Sequence, residues 1–322
     1  HRLHRPARQQ AAGKVINNLS TGKKVTVDLN HSRRLAGGLL LLALAFNFYY
    51  LWPEASQAAP RLNDSVLHGQ ALQGTLAALT AGRNPTDFWL STIGLGYPLF
   101  HHYQHLAYLP PALLSLLSGG ALPLSGLYNA FVYLLSGVWP LAIFWSMRRL
   151  GFERLPAALA GLVASLLATN GLLGFEFGSY IWRGSGLYTQ LWGMVWLPPA
   201  LAQGVHTLRT GRGYALSTLL LAGVLLGHLV MGYIAVVSLV VLAGLLACSA
   251  TGRWAPLGRL PGLLALLALV TAYFWLPYLL DGAYMNRSVW EEAAKYNSYG
   301  HTWILPALAR GELFDFGRVP LL

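Results

Sequence analysis

The stretch 124-LSGLYNAFVYLLSGVWPLAIFWSMRR-149 decides the fold. Residues 124–147 contain no Asp, Glu, Lys or Arg, and the run ends on Arg148-Arg149. About 20 such residues cross the hydrocarbon core of a bilayer as a helix, so this segment reads as a transmembrane span. Its basic end sets a direction, because loops rich in Arg and Lys stay on the cytoplasmic side. The apolar stretch just upstream, 106–117, is short and contains Pro110-Pro111. It is expected to be a partial, re-entrant or interfacial helix. A second full crossing there would put every later basic loop outside.

Further spans are expected on either side. The first runs from Leu35 to Leu51, after Arg33-Arg34, and closes on Tyr49, Tyr50 and Trp52, residues suited to a membrane interface. It is not a signal peptide, since a long basic region precedes it. Later spans read at 156–174, 187–205, 214–230, 232–248 and 260–280. The expected fold is all-α: a polytopic transmembrane helical bundle of about seven full spans plus the partial helix. Residues 1–34 form a basic cytoplasmic segment. Residues 35–322 form the membrane domain, expected to be truncated at its C-terminus, with a first external loop over 52–103. The expected location is the bacterial inner (plasma) membrane.

Composition agrees. Of 322 residues, 55% are hydrophobic and 10% charged, against about 25% charged in soluble domains. This excludes a disordered chain, a coiled coil and an ordinary cytosolic enzyme. The formal charge is +11. Residues 1–34 hold eight basic residues and one acid, so most of the excess lies in the N-terminal segment. That segment carries no nucleic-acid motif, and it precedes a membrane anchor. Its expected partners are anionic lipids and the bilayer, not nucleic acid. The single cysteine, Cys248, excludes a disulfide framework and a cysteine metal site.

The topology leaves most acids of the body outside: Asp64, Asp87, Glu176, Asp281, Glu291 and Glu292. The first external loop is the most informative segment. Asn63 or Asp64 can cap a helix running to Ala81, which Gly82 and Pro85 end. Helical spacing sets Leu67, Ala71, Leu72, Thr75 and Leu79 on one face, with Asp64 and His68 on that same face. A carboxylate and an imidazole on the buried side of an amphipathic helix suggest a general base assisted by a histidine. The other reading is a capping Asp and a hydrogen-bonded core His.

His101 and His105 share i, i+4 spacing and can face one metal or one phosphate; His102 lies between them. Aromatics interleaved with these histidines suit a sugar face or a lipid phosphate, and equally an interfacial belt. Glu176 and Arg183 close a hairpin between two spans. Arg183 can pair a phosphate or simply Glu176. His228 falls at the turn between two apolar helices, as a ligand contact or a structural hydrogen-bond partner.

Together these features resemble the GT-C superfamily of polytopic glycosyltransferases. More narrowly, Asn63-Asp64-Ser65…His68, Asn84-Pro85-Thr86-Asp87-Phe88-Trp89, Gly94-Leu95-Gly96-Tyr97-Pro98-Leu99-Phe100-His101-His102-Tyr103-Gln104 and Gly227-His228-Leu229 resemble bacterial membrane proteins described as 6-pyruvoyl-tetrahydropterin synthase-related. The resemblance implies transfer of a sugar from a polyprenyl-phosphate donor to an extracytoplasmic acceptor of the cell envelope. Asp64 would be the base or a metal ligand, supported by His68. Asp87, His101, His102, His105, Glu176, Arg183 and His228 would line the substrate or donor-phosphate side. A divalent cation, Mg or Mn, would be the only cofactor, with His101 and His105 as its nearest imidazoles. GT-C loops commonly carry paired acids, whereas Asp64 stands well before the next, Asp87. The competing expectations are a non-catalytic membrane protein and a transporter or lipid-binding protein of envelope polysaccharide assembly.

Overall fold

The structure is a computed structural model. It describes residues 15–16, 25–26, 29–56, 64–92, 95–166, 187–249, 254–284, 300–312 and 317. The chain divides into a large unit ending at Leu279 and a small one beginning at Leu280.

The large unit is mostly helical. Near the N-terminus two short strands, β1 (Val15–Ile16) and β2 (Val25–Thr26), pair antiparallel. Helix α1 (Leu29–Tyr50) leads to a short α2 (Trp52–Ser56) and to α3 (Asp64–Thr80). A two-stranded hairpin, β3 (Trp89–Leu90) and β4 (Tyr97–Pro98), follows, then α4 (Leu99–His102) and α5 (Leu109–Leu117). The long helices are α6 (Leu124–Leu150), α7 (Arg154–Leu166), α8 (Tyr188–Thr210), α9 (Tyr214–Gly227), α10 (Leu229–Ser249), α11 (Ala255–Val270) and α12 (Ala272–Leu280). In the small unit a 3-10 turn spans Asp281–Tyr284 and α13 spans His301–Ala309. There Arg310 and Glu312 form an exposed ion pair at 2.7 Å.

Among the described residues, α6 and α10 are each long and apolar enough to cross a membrane. Helices α1 and α8 have comparable length, 22 and 23 residues, but more polar composition: Arg33 and Arg34 in one, Gln190, Gln203 and Arg209 in the other. The nine residues of α5 extend only about 13 Å, too short to cross. The stretch 260–280, expected as one span, is two helices bent by 76° around Thr271. The Thr271 hydroxyl donates back to the Leu267 carbonyl at 2.8 Å, a bond that tends to bend helices. The amides of Phe274 and Trp275 then turn onto the Thr271 carbonyl. Neither a charge nor a glycine marks this break in the sequence.

Helix ends follow local chemistry. Gly151 adopts a left-handed conformation (φ 106°) after α6. Its amide bonds the Arg148 carbonyl and that of Phe152 bonds Met147, the paired pattern of a Schellman cap. Arg148 and Arg149 sit in the last turn, where cations oppose the helix dipole. Helix α1 runs antiparallel to α6. Tyr133 donates to the Phe48 carbonyl at 2.8 Å, and Asn47 to the Ser136 carbonyl at 3.1 Å. Gly161 lets α7 approach α6: a Cβ there would stand 2.9 Å from the Pro140 carbonyl oxygen.

Two apolar clusters form the core. One joins the inner face of α3 to α6 and the start of α8 through Leu72, Tyr108, Tyr128, Val132, Leu191 and Trp192. The other joins α8, α9, α10 and α11 through Leu208, Leu221, Leu239 and Leu263.

Candidate functional site

Helix α3 opens on Asp64 and buries one side. Ser65, His68, Ala71, Leu72, Thr75 and Ala78 are all buried, and Gln73 on the other side is exposed. The 3.6-residue period therefore placed the face correctly, including a His68 that is 1% exposed. Asp64, one turn earlier, is half-buried. The helix stops where Gly82 (φ 65°) lets the Arg83 amide reach the Ala78 carbonyl at 2.8 Å. Asn84 then accepts from both the amide and the hydroxyl of Thr86, an Asx-type turn. The Gln70 side chain accepts from Thr92 at 2.9 Å and so ties α3 to the hairpin. Gly96 (φ 85°) is required in that hairpin, because a Cβ there would collide with the Trp89 indole.

Around His68 stands a group of tyrosines. The Tyr108 hydroxyl is hydrogen-bonded to His68 Nδ1 at 2.8 Å. The rings of Tyr108, Tyr128 and Tyr188 lie 5.9, 6.5 and 5.7 Å from the imidazole. Tyr128 and Tyr188 pack at 4.6 Å. Ser65 shares a 3.2 Å hydrogen bond with the Tyr128 hydroxyl. Phenols bring broad apolar faces and one polar tip, so such a group is rigid yet hydrogen-bonding.

The segment Tyr103–Tyr108 holds this group together. The Tyr103 hydroxyl meets Thr189 Oγ1 at 3.2 Å, and Gln104 donates to the same oxygen at 2.9 Å. The Leu106 amide donates to the Leu226 carbonyl at 3.0 Å. Tyr188 donates to the Ala107 carbonyl at 2.9 Å. His105 Nε2 shares a 2.9 Å bond with the Tyr273 hydroxyl. Burial raises the Tyr103 phenol above its ordinary value, and the nearby Asp64 carboxylate pushes the same way. Burial lowers the His105 imidazole to about 4, so it is neutral at pH 7. Its Nδ1 has no hydrogen-bond partner among the described residues.

The remaining candidates fall in different places. His101 Nε2 pairs with Asp87 at 2.9 Å on the partly exposed side of the loop. Helix α4 ends at His102, and Tyr103 is extended (φ −141°, ψ 146°). His101 and His105 thus do not share a helical face. His102 packs against Tyr278 with ring centroids 6.4 Å apart. His228 caps α10: its Nδ1 accepts from the Met231 amide at 3.3 Å. Glu176, Arg183, Glu291 and Glu292 lie outside the described residues.

Several site residues were passed over in the sequence. Tyr103, Gln104, Tyr108, Tyr188 and Thr189 form the polar network, yet nothing local to them announces it. Glu54 in α2 is a carboxylate only 4% exposed. Its position just past the first apolar run was the available signal. A shallow apolar hollow of about 450 Å³, lined by Gln73, Leu76, Ala77, Thr80, Ala81 and Leu124, lies on the other side of α3. It faces none of the network residues. Among the described residues no three His, Cys, Asp or Glu side chains gather around one point.

Comparison with protein-family models, with curated proteins and with solved structures finds no match to this chain.

Proposed function

We propose that the chain is an integral-membrane glycosyltransferase-like protein of the GT-C type. Its substrate would be a polyprenyl-phosphate sugar, and its acceptor would lie outside the cytoplasm. In this reading α1 and α6–α11 are seven spans, α5 is the partial helix, and the N-terminus is cytoplasmic in a bacterial inner membrane. The observation that carries the reading is the relation of Asp64 to His68. A half-buried carboxylate stands one turn above an imidazole that is buried and fixed by Tyr108. A general base needs such placement: reachable from outside, and held by groups that do not move.

The acceptor hydroxyl gives its proton to an Asp64 carboxylate oxygen. The acceptor oxygen bonds to the anomeric carbon of the sugar. The bond from that carbon to the phosphate oxygen breaks, and its electron pair leaves with the polyprenyl phosphate. The half-buried rings of Tyr97 and Tyr103, and not the buried Tyr108, Tyr128 and Tyr188, are those a pyranose can reach. Arg183 is the proposed partner of the leaving phosphate.

The test uses membranes containing the full chain, supplied with radiolabelled polyprenyl-phosphate mannose or glucose. Asp64→Asn should abolish transfer while the protein remains in the membrane. Undiminished transfer by that variant removes Asp64 from the chemistry. A second reading, a non-catalytic lipid-binding protein of envelope assembly, is favoured by the divergence of His101, His102 and His105 toward separate partners. It predicts no transfer by the unaltered chain with either donor.

A further inference from the structure

A cluster of arginines gathers at the ends of α6 and α8 remote from Asp64. Arg259 donates to the Leu208 and Arg209 carbonyls at 2.8 and 2.7 Å. Arg209 reaches the Leu150 carbonyl at 3.4 Å. Arg149 bonds the Gln203 side chain, and Arg148 bonds the Phe152 carbonyl. These contacts draw the α6–α7 connection, the α8–α9 connection and the start of α11 to one place. Because α1 runs antiparallel to α6, the exposed Arg33 and Arg34 fall at the same end.

Most of these guanidiniums have structural work. Arg209 and Arg259 sit on the C-terminal carbonyls of α6 and α8, where helix dipoles favour cations. Arg154 and Arg212 do not. Both are exposed, and their side chains donate to none of the described residues. Among the described residues of the three connections the only carboxylate is Glu153. Cations gathered at one end of the helices repel one another unless an anion joins them.

The surroundings identify the anion. Phe152 is 48% exposed and Trp254 is 77% exposed, both beside the arginines. Exposed aromatic rings next to basic residues mark the headgroup level of a membrane. The outer side of α10, with Val230, Ile234, Val237 and Val241 exposed, leads along the bundle to this same end. An apolar wall that runs down to a basic end matches a lipid, with its tails along the wall and its phosphate among the guanidiniums.

We propose that this arginine collar binds the phosphate of an anionic phospholipid, with Arg154 and Arg212 as its principal contacts. The site is separate from the Asp64 region and does not depend on sugar transfer.

The test is thermal unfolding of the purified full chain in neutral detergent. It is given phosphatidylglycerol, phosphatidylcholine or inorganic phosphate at equal phosphate concentration. Phosphatidylglycerol should raise the midpoint by a few degrees, as expected for a ligand of the native state, and the other two should not. The double variant R154Q/R212Q should lose most of that shift while keeping its midpoint in phosphatidylcholine, and R154K/R212K should retain part of it. An equal shift with phosphatidylcholine overturns the lipid-phosphate assignment. So does an equal shift with inorganic phosphate, or an undiminished shift in the Gln variant. If the Gln variant does not fold, native mass spectrometry of the unaltered chain decides. Phosphatidylglycerol retained in preference to phosphatidylethanolamine supports the collar; no preference overturns it.

Discussion

The Tyr108 hydroxyl and the Nδ1 of His68 are held 2.8 Å apart, although forty positions separate them in the chain. Both residues are essentially without solvent exposure. A buried polar pair of this kind adds a modest amount when made and costs more when broken.

Tyr108→Phe removes the hydroxyl and keeps the ring. It should destabilise the protein by about 1–3 kcal/mol. Chemical or thermal unfolding in detergent measures this. A change near zero would mean that the bond does not form in solution.

Thr189→Val is nearly isosteric and deprives both Tyr103 and Gln104 of their shared oxygen. Gln104 is 4% exposed, so its amide cannot turn to water without local opening. The expected loss is again about 1–3 kcal/mol. Thr189→Ser, which restores a hydroxyl, should recover most of it. Equal losses in the two variants would point to packing and not to the hydrogen bonds.

His105 makes stability depend on pH. Its folded value is about 4, below the ordinary 6.5, because burial disfavours the charged ring. Between these values the unfolded chain binds more protons than the folded one. Stability from this group is therefore full above pH 6.5, falls as pH drops toward 4, and levels off below that. The loss is of order 3 kcal/mol across the window. Unfolding midpoints measured from pH 7 to pH 4 should fall less steeply in His105→Gln. Parallel curves for the two proteins would show that His105 does not titrate this way.

Gly161→Val should loosen α7 from α6, since the added side chain meets the Pro140 carbonyl, a backbone group that cannot swing aside. Overpacking of this kind costs about 1–3 kcal/mol. Gly38→Ala is the contrast: nothing lies within 4 Å of its added Cβ, and alanine favours a helix by about 1 kcal/mol. Limited proteolysis and unfolding of the two variants should move in opposite directions. Equal tolerance at Gly161 would contradict the close approach.

The helices were legible wherever a long apolar run met a turn or a charge. The expected 124–147 is α6, 214–230 is α9, and 232–248 is α10, each within a few residues. The buried face of α3 was legible for the same reason, since a 3.6-residue period leaves a visible stripe. The break at Thr271 was not. Apolar residues continue on both sides, and the bend comes from one hydroxyl turning back on its own helix. The spacing of His101 and His105 misled in another way. It assumed a helix that ends at His102. The polar network was hidden because its partners are distant in sequence, and only the packing of α3, α8 and α12 around Tyr103–Tyr108 brings them together. Glu176 and Arg183 lie outside the described residues, and their part in the site stays a matter of sequence.

The bonds of the Tyr103–Tyr108 segment reach across 40, 81, 85 and 168 positions of the chain. Such distant closures come late, because each must first overcome the entropy of a long loop. On the ribosome the consequence is an order of events. α3 and α5 are made early, but Tyr273 emerges only after α6 to α11 have been synthesised. The polar network around His68 and His105 can therefore close only once nearly the whole bundle has been delivered. A nascent chain arrested before Tyr273 should carry α3 and α5 without their final anchorage, and should be the form most open to quality-control proteases.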